Sequence, residues 1–253
     1  MHVYEITFSP TGGTKRAAQL LTQAWGGNCS EVDLTDSRRA FDDLAFEPDD
    51  LAVIAVPSYG GRVPALAAER LLRMRGNAAK AVLVCVYGNR AYEDTLVELQ
   101  DTARQAGFRP VAGVAAVAEH SIARQYASGR PDEQDQKVLQ RFAGQIQAKL
   151  SRGDGTDPVL PGNRPYKTWG GSAAVPAPTE GCTNCQTCAK LCPTQAIDPE
   201  APDKTDVHKC ISCMRCVAVC PHKARTVGAD MLQKVSLMLE KVCSVRKEPE
   251  LYL

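Results

Sequence analysis

Up to residue 152 the apolar residues come in short dense runs: "HVYEITF" (2–8), "CSEVDL" (29–34), "LAVIAVP" (51–57), "KAVLVCVYG" (80–88) and "RPVAGVAAVA" (109–118). Several are almost unbroken Val, Ile, Leu and Ala, the pattern of strands covered on both faces rather than one. Stretches of helical period separate them, at 14–25, 64–74, 92–107 and 131–150. In the third, Leu96, Leu99 and Ala103 share one face, with Glu93, Asp94, Glu98, Gln100, Asp101 and Arg104 around the rest. Pro64 and Pro131 stand where first-turn prolines belong. This alternation predicts an open, doubly wound α/β fold built on a five-stranded parallel sheet with right-handed crossovers.

The pattern then changes. Residues 153–180 are rich in Pro and Gly and have no period, so they read as a linker. Its Tyr166 and Trp169 would be wasted on solvent, and we expect this stretch to lie along the first domain near a ligand. Residues 181–226 are dense in cysteine, and 227–253 predict a helical tail, one amphipathic helix through about 245. Met231, Leu232, Val235, Leu237, Met238, Leu239 and Val242 give that helix a docking face. The expected organisation is therefore 1–152, 153–180, 181–226 and 227–253.

A length of 253 residues suits one large domain or two smaller ones. The net charge of +1 sets up no field for nucleic acid or a membrane surface. No apolar stretch approaches the roughly 20 residues that span a bilayer, and no export signal opens the chain, so we expect a cytoplasmic protein. Of 11 cysteines only Cys29 and Cys85 precede residue 180, and both fall in strand-like runs that suggest core positions. Cys243 falls on the tail helix. The rest cluster at CxxC spacing, which without an export signal favours metal over disulfides.

Two runs carry the strongest chemistry, "CTNCQTCAKLCP" (182–193) and "CISCMRCVAVCP" (210–221). Each is C-x2-C-x2-C-x3-C-P, the arrangement of bacterial ferredoxins with two clusters. The alternatives are zinc and disulfides. Three cysteines on one short loop crowd a single tetrahedral ion, and the proline after each fourth cysteine has no zinc rationale. Similarity to two-cluster ferredoxins implies that Cys182, Cys185, Cys188 and Cys220 hold one [4Fe–4S] cluster. Cys210, Cys213, Cys216 and Cys192 then hold the other. Five of the six basic residues of this module, Lys204, Lys209, Arg215, Lys223 and Arg225, surround the second run. Cations favour the reduced cluster, so the second is expected at the higher potential.

A further loop follows the first strand-like run: Ser9-Pro10-Thr11-Gly12-Gly13-Thr14. Neither a Walker loop nor G-x-G-x-x-G is present, which argues against ATP and dinucleotides. An ordinary strand-to-helix turn is one reading; a mononucleotide phosphate at the helix N-terminus is the other. The loop resembles the flavodoxin phosphate loop (Ser/Thr)-x-Thr-Gly-x-Thr at Ser9, Thr11, Gly12 and Thr14, which implies FMN and a sheet of order 2-1-3-4-5. In such a sheet the ligand lies beyond the carboxyl ends of strands 1 and 3. The loops Ser58-Tyr59-Gly60-Gly61-Arg62 and Gly88-Asn89-Arg90-Ala91-Tyr92 lie at that same edge. The resemblance makes Tyr59 and Tyr92 candidates for stacking on the flavin ring. It turns a Gly60 or Gly61 carbonyl toward the ring, and pairs Gly88 and Asn89 with its pyrimidine edge. Arg62 and Arg90 depart from the usual acidic or neutral surroundings and either tune the reduced flavin or meet solvent or a partner.

Taken whole, the chain resembles the flavodoxin–ferredoxin fusion proteins of anaerobic bacteria and archaea, the EFR-type ferredoxins. The resemblance implies FMN, two [4Fe–4S] clusters and electron transfer among them, linking one- and two-electron carriers with an unidentified redox partner protein. A flavin-dependent oxidoreductase acting on a small substrate is the first alternative. A ferredoxin whose α/β domain only docks partners is the second. No Ser–His–Asp set, carboxylate pair or HExxH motif argues for other catalysis.

Overall fold

Strands β1 (Val3–Thr7), β2 (Cys29–Asp33), β3 (Leu51–Pro57), β4 (Lys80–Tyr87) and β5 (Arg109–Val117) pair in parallel in the order β2-β1-β3-β4-β5. The computed structural model describes residues 2–26, 29–171 and 173–253. Burial explains the unbroken apolar runs, because β3 is buried at every position but Pro57 and β4 at every position but Lys80. Helices α1 (Gly13–Thr22), α2 (Ala65–Leu72) and α3 (Thr95–Gln105) cross from β1 to β2, β3 to β4 and β4 to β5, the β2–β3 connection carries no helix, and α4 (Glu133–Ser151) follows β5. One core layer joins Ile6, Ile54 and Leu83 to Leu71, Leu96 and Leu99 of α2 and α3. The other joins Val53, Val84 and Val114 to Leu21, Leu139 and Ile146 of α1 and α4. Pro64 is the N-cap of α2, whereas Pro131 precedes the N-cap of α4, Asp132, which forms a capping box with Asp135. Cys85 is fully buried, but Cys29 is exposed at the start of the short edge strand β2.

The chain beyond α4 wraps this sheet. The 153–180 stretch is pinned to it: Gln100 donates to the Pro158 carbonyl at 2.9 Å, Asp94 accepts from the Asn163 and Lys167 amides, and Arg164 forks onto Asp101. Its end forms β6 (Ala177–Pro178), which pairs antiparallel with β7 (Arg225–Thr226) and so belongs to the cysteine module. Two single-turn helices, α5 (Thr187–Lys190) and α6 (Arg215–Ala218), carry the third cysteine of each run. The repeat is also conformational. Asn184 and Ser212 (φ 53° and 52°), Gln186 and Met214 (61° and 61°), and Gln195 and Lys223 (51° and 52°) adopt matching left-handed backbones. The tail runs as α7 (Ala229–Cys243), with Leu239 and Cys243 buried against Ala123. Met231 and Leu232 pack with Ala174, Met214 and Val227, but Leu237, Met238 and Val242 are exposed.

A sixth strand, β8 (Glu250–Tyr252), lies antiparallel on the outer edge of β5. The five parallel strands stand in the expected order, and β8, which the pattern did not foretell, adds a sixth beyond the tail helix. Three residues are too few to show alternation, and β8 forms because the open edge of β5 leaves unpaired backbone groups. Among the described residues, no helix is long and apolar enough to cross a membrane.

The module is held at the carboxyl ends of the strands by guanidinium groups. Arg70, 7% exposed and lying over the Phe41 ring, donates to the Leu34 carbonyl (2.6 Å) and to the Pro193 carbonyl (2.9 Å). Each of those acceptors would lose a charged donor in Arg70→Ala. We expect this variant to lose about 2–4 kcal/mol of stability in denaturant unfolding and to be cut faster between 153 and 176 by protease. An unchanged midpoint and unchanged cleavage would show that Arg70 does not clamp the module.

Candidate functional site

A cavity of about 430 Å³ opens beyond the carboxyl ends of β1 and β3. Its floor is Pro10, Thr11, Gly13 and Thr14 after β1, Ser58, Tyr59 and Gly60 after β3, and Gly88 with Arg90 after β4. The loop after β5 adds His120 and Ile122. Three later segments close it: Trp169 from the linker, Ile211 and Ser212 from the second cysteine run, and Val235 with Met238 from α7. The cavity therefore exists only because the cysteine module and tail fold back onto the sheet edge.

Helix α1 begins at Gly13, directly after the first loop, and Gly12 at its N-cap takes φ 93°, a backbone that favours glycine. Gly12 brings no capping side chain, so the Gly13 and Thr14 amides face the loop. Ser9 accepts the Lys15 amide at 2.9 Å and is spent on the turn. Gly60 is needed for another reason. A Cβ there would sit 2.3 Å from Trp169 Nε1, so the indole lies directly on this backbone. Tyr59 lies beside it, with ring centroids 6.3 Å apart.

Of the residues singled out from the sequence, the cavity brings together Thr11, Gly13, Thr14, Ser58, Tyr59, Gly60, Gly88 and Arg90. Ser9, Gly12, Gly61, Asn89 and Tyr92 stand off its wall. Asn89 is 3% exposed; its Nδ2 donates to the Cys243 and Val245 carbonyls and its Oδ1 accepts from the Lys247 amide. Tyr92 hydrogen-bonds to Tyr252 and Glu250 and packs on Tyr87. Gly61 abuts Glu93. Arg62 forks onto Glu98, donates to the Lys167 carbonyl and covers Tyr166, all away from the cavity. Arg90 stays on the wall but is paired with Glu93. No sequence signal could have revealed Asn89's commitment, since its partners lie more than 150 residues on.

The eight clustered cysteines line two further cavities. One is walled by Cys182, Cys185, Cys188 and Cys220, the other by Cys192, Cys210, Cys213 and Cys216. Each fourth cysteine crosses to the other run's site, because it lies at the far end of the turn that follows α5 or α6. Among the described residues, no three His, Cys, Asp or Glu side chains converge as a single-ion site. Each quartet instead rings a void, which fits a cubane better than zinc. Burial pushes the Cys213 and Cys216 thiols up to about 12 and about 11, so loading this site must expel protons. Cys185 is exposed, and the neighbouring Thr187 hydroxyl draws its thiol down.

The two kinds of site touch. Ile211 and Ser212 on the wall of the large cavity are the residues between Cys210 and Cys213. Burial holds the Tyr59 hydroxyl well above the usual phenol range, and the adjacent Cys213 pushes the same way. Arg215 reaches from the second run to the Ser9 and Pro10 carbonyls at 3.5 and 3.4 Å.

Residues 181–225 match the family model of the 4Fe-4S dicluster domain. The N-terminal part is similar in structure to flavodoxins. That of Streptococcus pneumoniae TIGR4 is 19% identical, with 59% of this chain and 99% of the other covered and a TM-score of 0.41. Flavodoxin 1 of Bacillus cereus is 13% identical, covering 58% and 98%, at 0.42. The two-electron reduced flavodoxin of Megasphaera elsdenii is 18% identical, covering 56% and 98%, at 0.37. No curated protein matches the chain. The strand order itself carries the fold assignment.

His120 supplies a test of this site. Its Nδ1 accepts the Ile122 and Ala123 amides, and its ring closes on Gly88, where a Cβ would lie 2.5 Å from Cδ2. Burial, with Arg90 nearby, lowers its pKa from 6.5 to about 4. Between those values the unfolded chain takes a proton that the folded site refuses. Its contribution is thus complete above pH 6.5 and lost as pH falls toward 4, by up to about 3 kcal/mol. His120→Asn keeps an acceptor and removes the titration. The variant should lose less stability than the parent between pH 7 and pH 4 in denaturant unfolding; parallel curves would refute the buried neutral imidazole.

Proposed function

We propose that this chain, a flavodoxin-like sheet joined to a 4Fe-4S dicluster domain, passes electrons between FMN held in the large cavity and two [4Fe–4S] clusters held by the cysteine quartets. The observation that carries the proposal is the shared wall: Ile211 and Ser212 belong at once to the cavity and to the second cysteine run. When bound, FMN exchanges one or two electrons and each cluster exchanges one, so the combination converts between the two kinds of carrier.

The residues divide that task. Thr11, Gly13 and Thr14 offer hydroxyls and the α1 amides to a phosphate. Tyr59 and Trp169 are the aromatic walls for a planar ring. Ile211 and Ser212 bring the second run to the cavity wall, so the second quartet is the near station and the first the far one. Around the first quartet Thr183, Asn184, Cys185, Pro221 and His222 are exposed. This is the face at which an external protein carrier would exchange single electrons, and it keeps the flavin away from that encounter.

Anaerobic reconstitution tests the proposal. It should give about eight iron and eight sulfide atoms per chain together with bound FMN. Gly60→Leu, which drives a side chain into Trp169, should weaken FMN binding at least tenfold by flavin fluorescence while leaving iron content unchanged. Full clusters without FMN binding to the parent would make the α/β domain a docking module instead. Steady turnover of NAD(P)H with small acceptors, in the absence of a protein partner, would mark a flavin-dependent oxidoreductase.

A further inference from the structure

The cysteine repeat is symmetric except at one buried position. Ile197 and Arg225 stand at equivalent places, each five residues after the fourth cysteine of its run. Both are buried, at 5% and 3% exposure, and both sit on short antiparallel pairings, Ile197 with Thr205 and Arg225 with Pro178. Matching left-handed residues throughout the two runs show that the backbones superimpose in kind, so the difference is one of side-chain chemistry. An aliphatic group lies on one side and a full positive charge on the other.

Arg225 lines both cysteine cavities. Its Nη1 donates to the Pro202 carbonyl at 2.7 Å and lies 3.7 Å from Cys188 Sγ. Its Nη2 donates to the Pro176 carbonyl and to Thr205 Oγ1. Cys216 lines the second cavity together with it. Cys188 belongs to one quartet and Cys216 to the other. Its Nε is buried without a protein partner, an expensive state for a charged donor unless a cluster sulfur or cysteinate accepts it. No carboxylate pairs with Arg225 among the described residues.

We infer that Arg225 is a shared cation for both clusters, a positioning residue that raises both reduction potentials together. The inference rests on the [4Fe–4S] reading of the quartets but not on FMN. Reduction adds a negative charge to a cluster, and a fixed buried cation favours that state. At 3% exposure its field is not screened by salt, unlike that of Lys209, which is exposed and pairs with Asp206. To the preference for the second cluster expected from Lys204, Lys209, Arg215 and Lys223, Arg225 adds an effect common to both.

The test is an EPR-monitored potentiometric titration of the full chain, with iron and sulfide quantified on the same samples. Arg225→Gln should lower both potentials, and Arg225→Lys, which keeps the charge but not the fork, should restore most of the shift. Unchanged potentials in Arg225→Gln with full iron content would overturn the inference, as would a shift confined to one cluster. Parent chain lacking iron and sulfide after reconstitution would instead defeat the cluster reading itself. Should Arg225→Gln fail to assemble, the parent chain labelled with 15N-arginine decides the matter. Electron–nuclear double resonance should then detect guanidinium nitrogen at both reduced clusters, and its absence at either would refute a shared cation.

Discussion

A parallel sheet buried on both faces leaves little of itself available for chemistry. The side chains of β3 and β4 are consumed by the two helical layers, so any ligand must be met where the strands end and the backbone turns. Here the carboxyl-end loops of β1, β3, β4 and β5 converge on one cavity, which the linker, the cysteine module and α7 close. The linker is tied to α3 through Asp94, Gln100 and Asp101, which delivers Trp169 onto Gly60. From there the chain arrives at the sheet edge with its second cysteine run facing inward and its first facing solvent.

Arginine makes most of the joints. Arg70 bridges the sheet to Pro193, Arg215 reaches the loop after β1, and Arg225 ties Pro176, Pro202 and Thr205 together inside the module. A guanidinium suits this work because several donors radiate from one planar group and stay charged when buried. Backbone carbonyls at loop ends, which neither sheet nor helix satisfies, are its natural acceptors. Arg130 completes the pattern on the far side, pairing with the buried Asp135 and donating to the Lys247 carbonyl, which fixes the tail before β8. The near-neutral net charge hides all of this, because what matters is where each cation is buried and which acceptor it meets.

The arginines and the tyrosine–glycine loops also show why some residues left the positions assigned to them. Arg62 and Asn89 stand in loops that do reach the sheet edge, yet their side chains turn outward to the linker and the tail. Tyr92 follows the same course toward β8. Each was captured by a segment far along the chain whose unpaired backbone or hydroxyl groups needed a partner, and such capture has no local signature. Trp169 is the converse, an aromatic in a segment without period, placed against the cavity by contacts that its neighbours make with α3.

By itself the sequence determined the parallel α/β core, because two-sided burial demands unbroken apolar strands. Its repeated C-x2-C-x2-C-x3-C runs also carried the resemblance to two-cluster ferredoxins, which implies two crossed quartets. Left-handed turns at Gln186 and Met214 then carry out that spacing locally. Only the tertiary structure decided which quartet adjoins the cavity, which aromatic covers it, and that one buried arginine serves both quartets. Those outcomes depend on long-range contacts, where loops compete for the same few donors and acceptors and burial sets the strength of each charge.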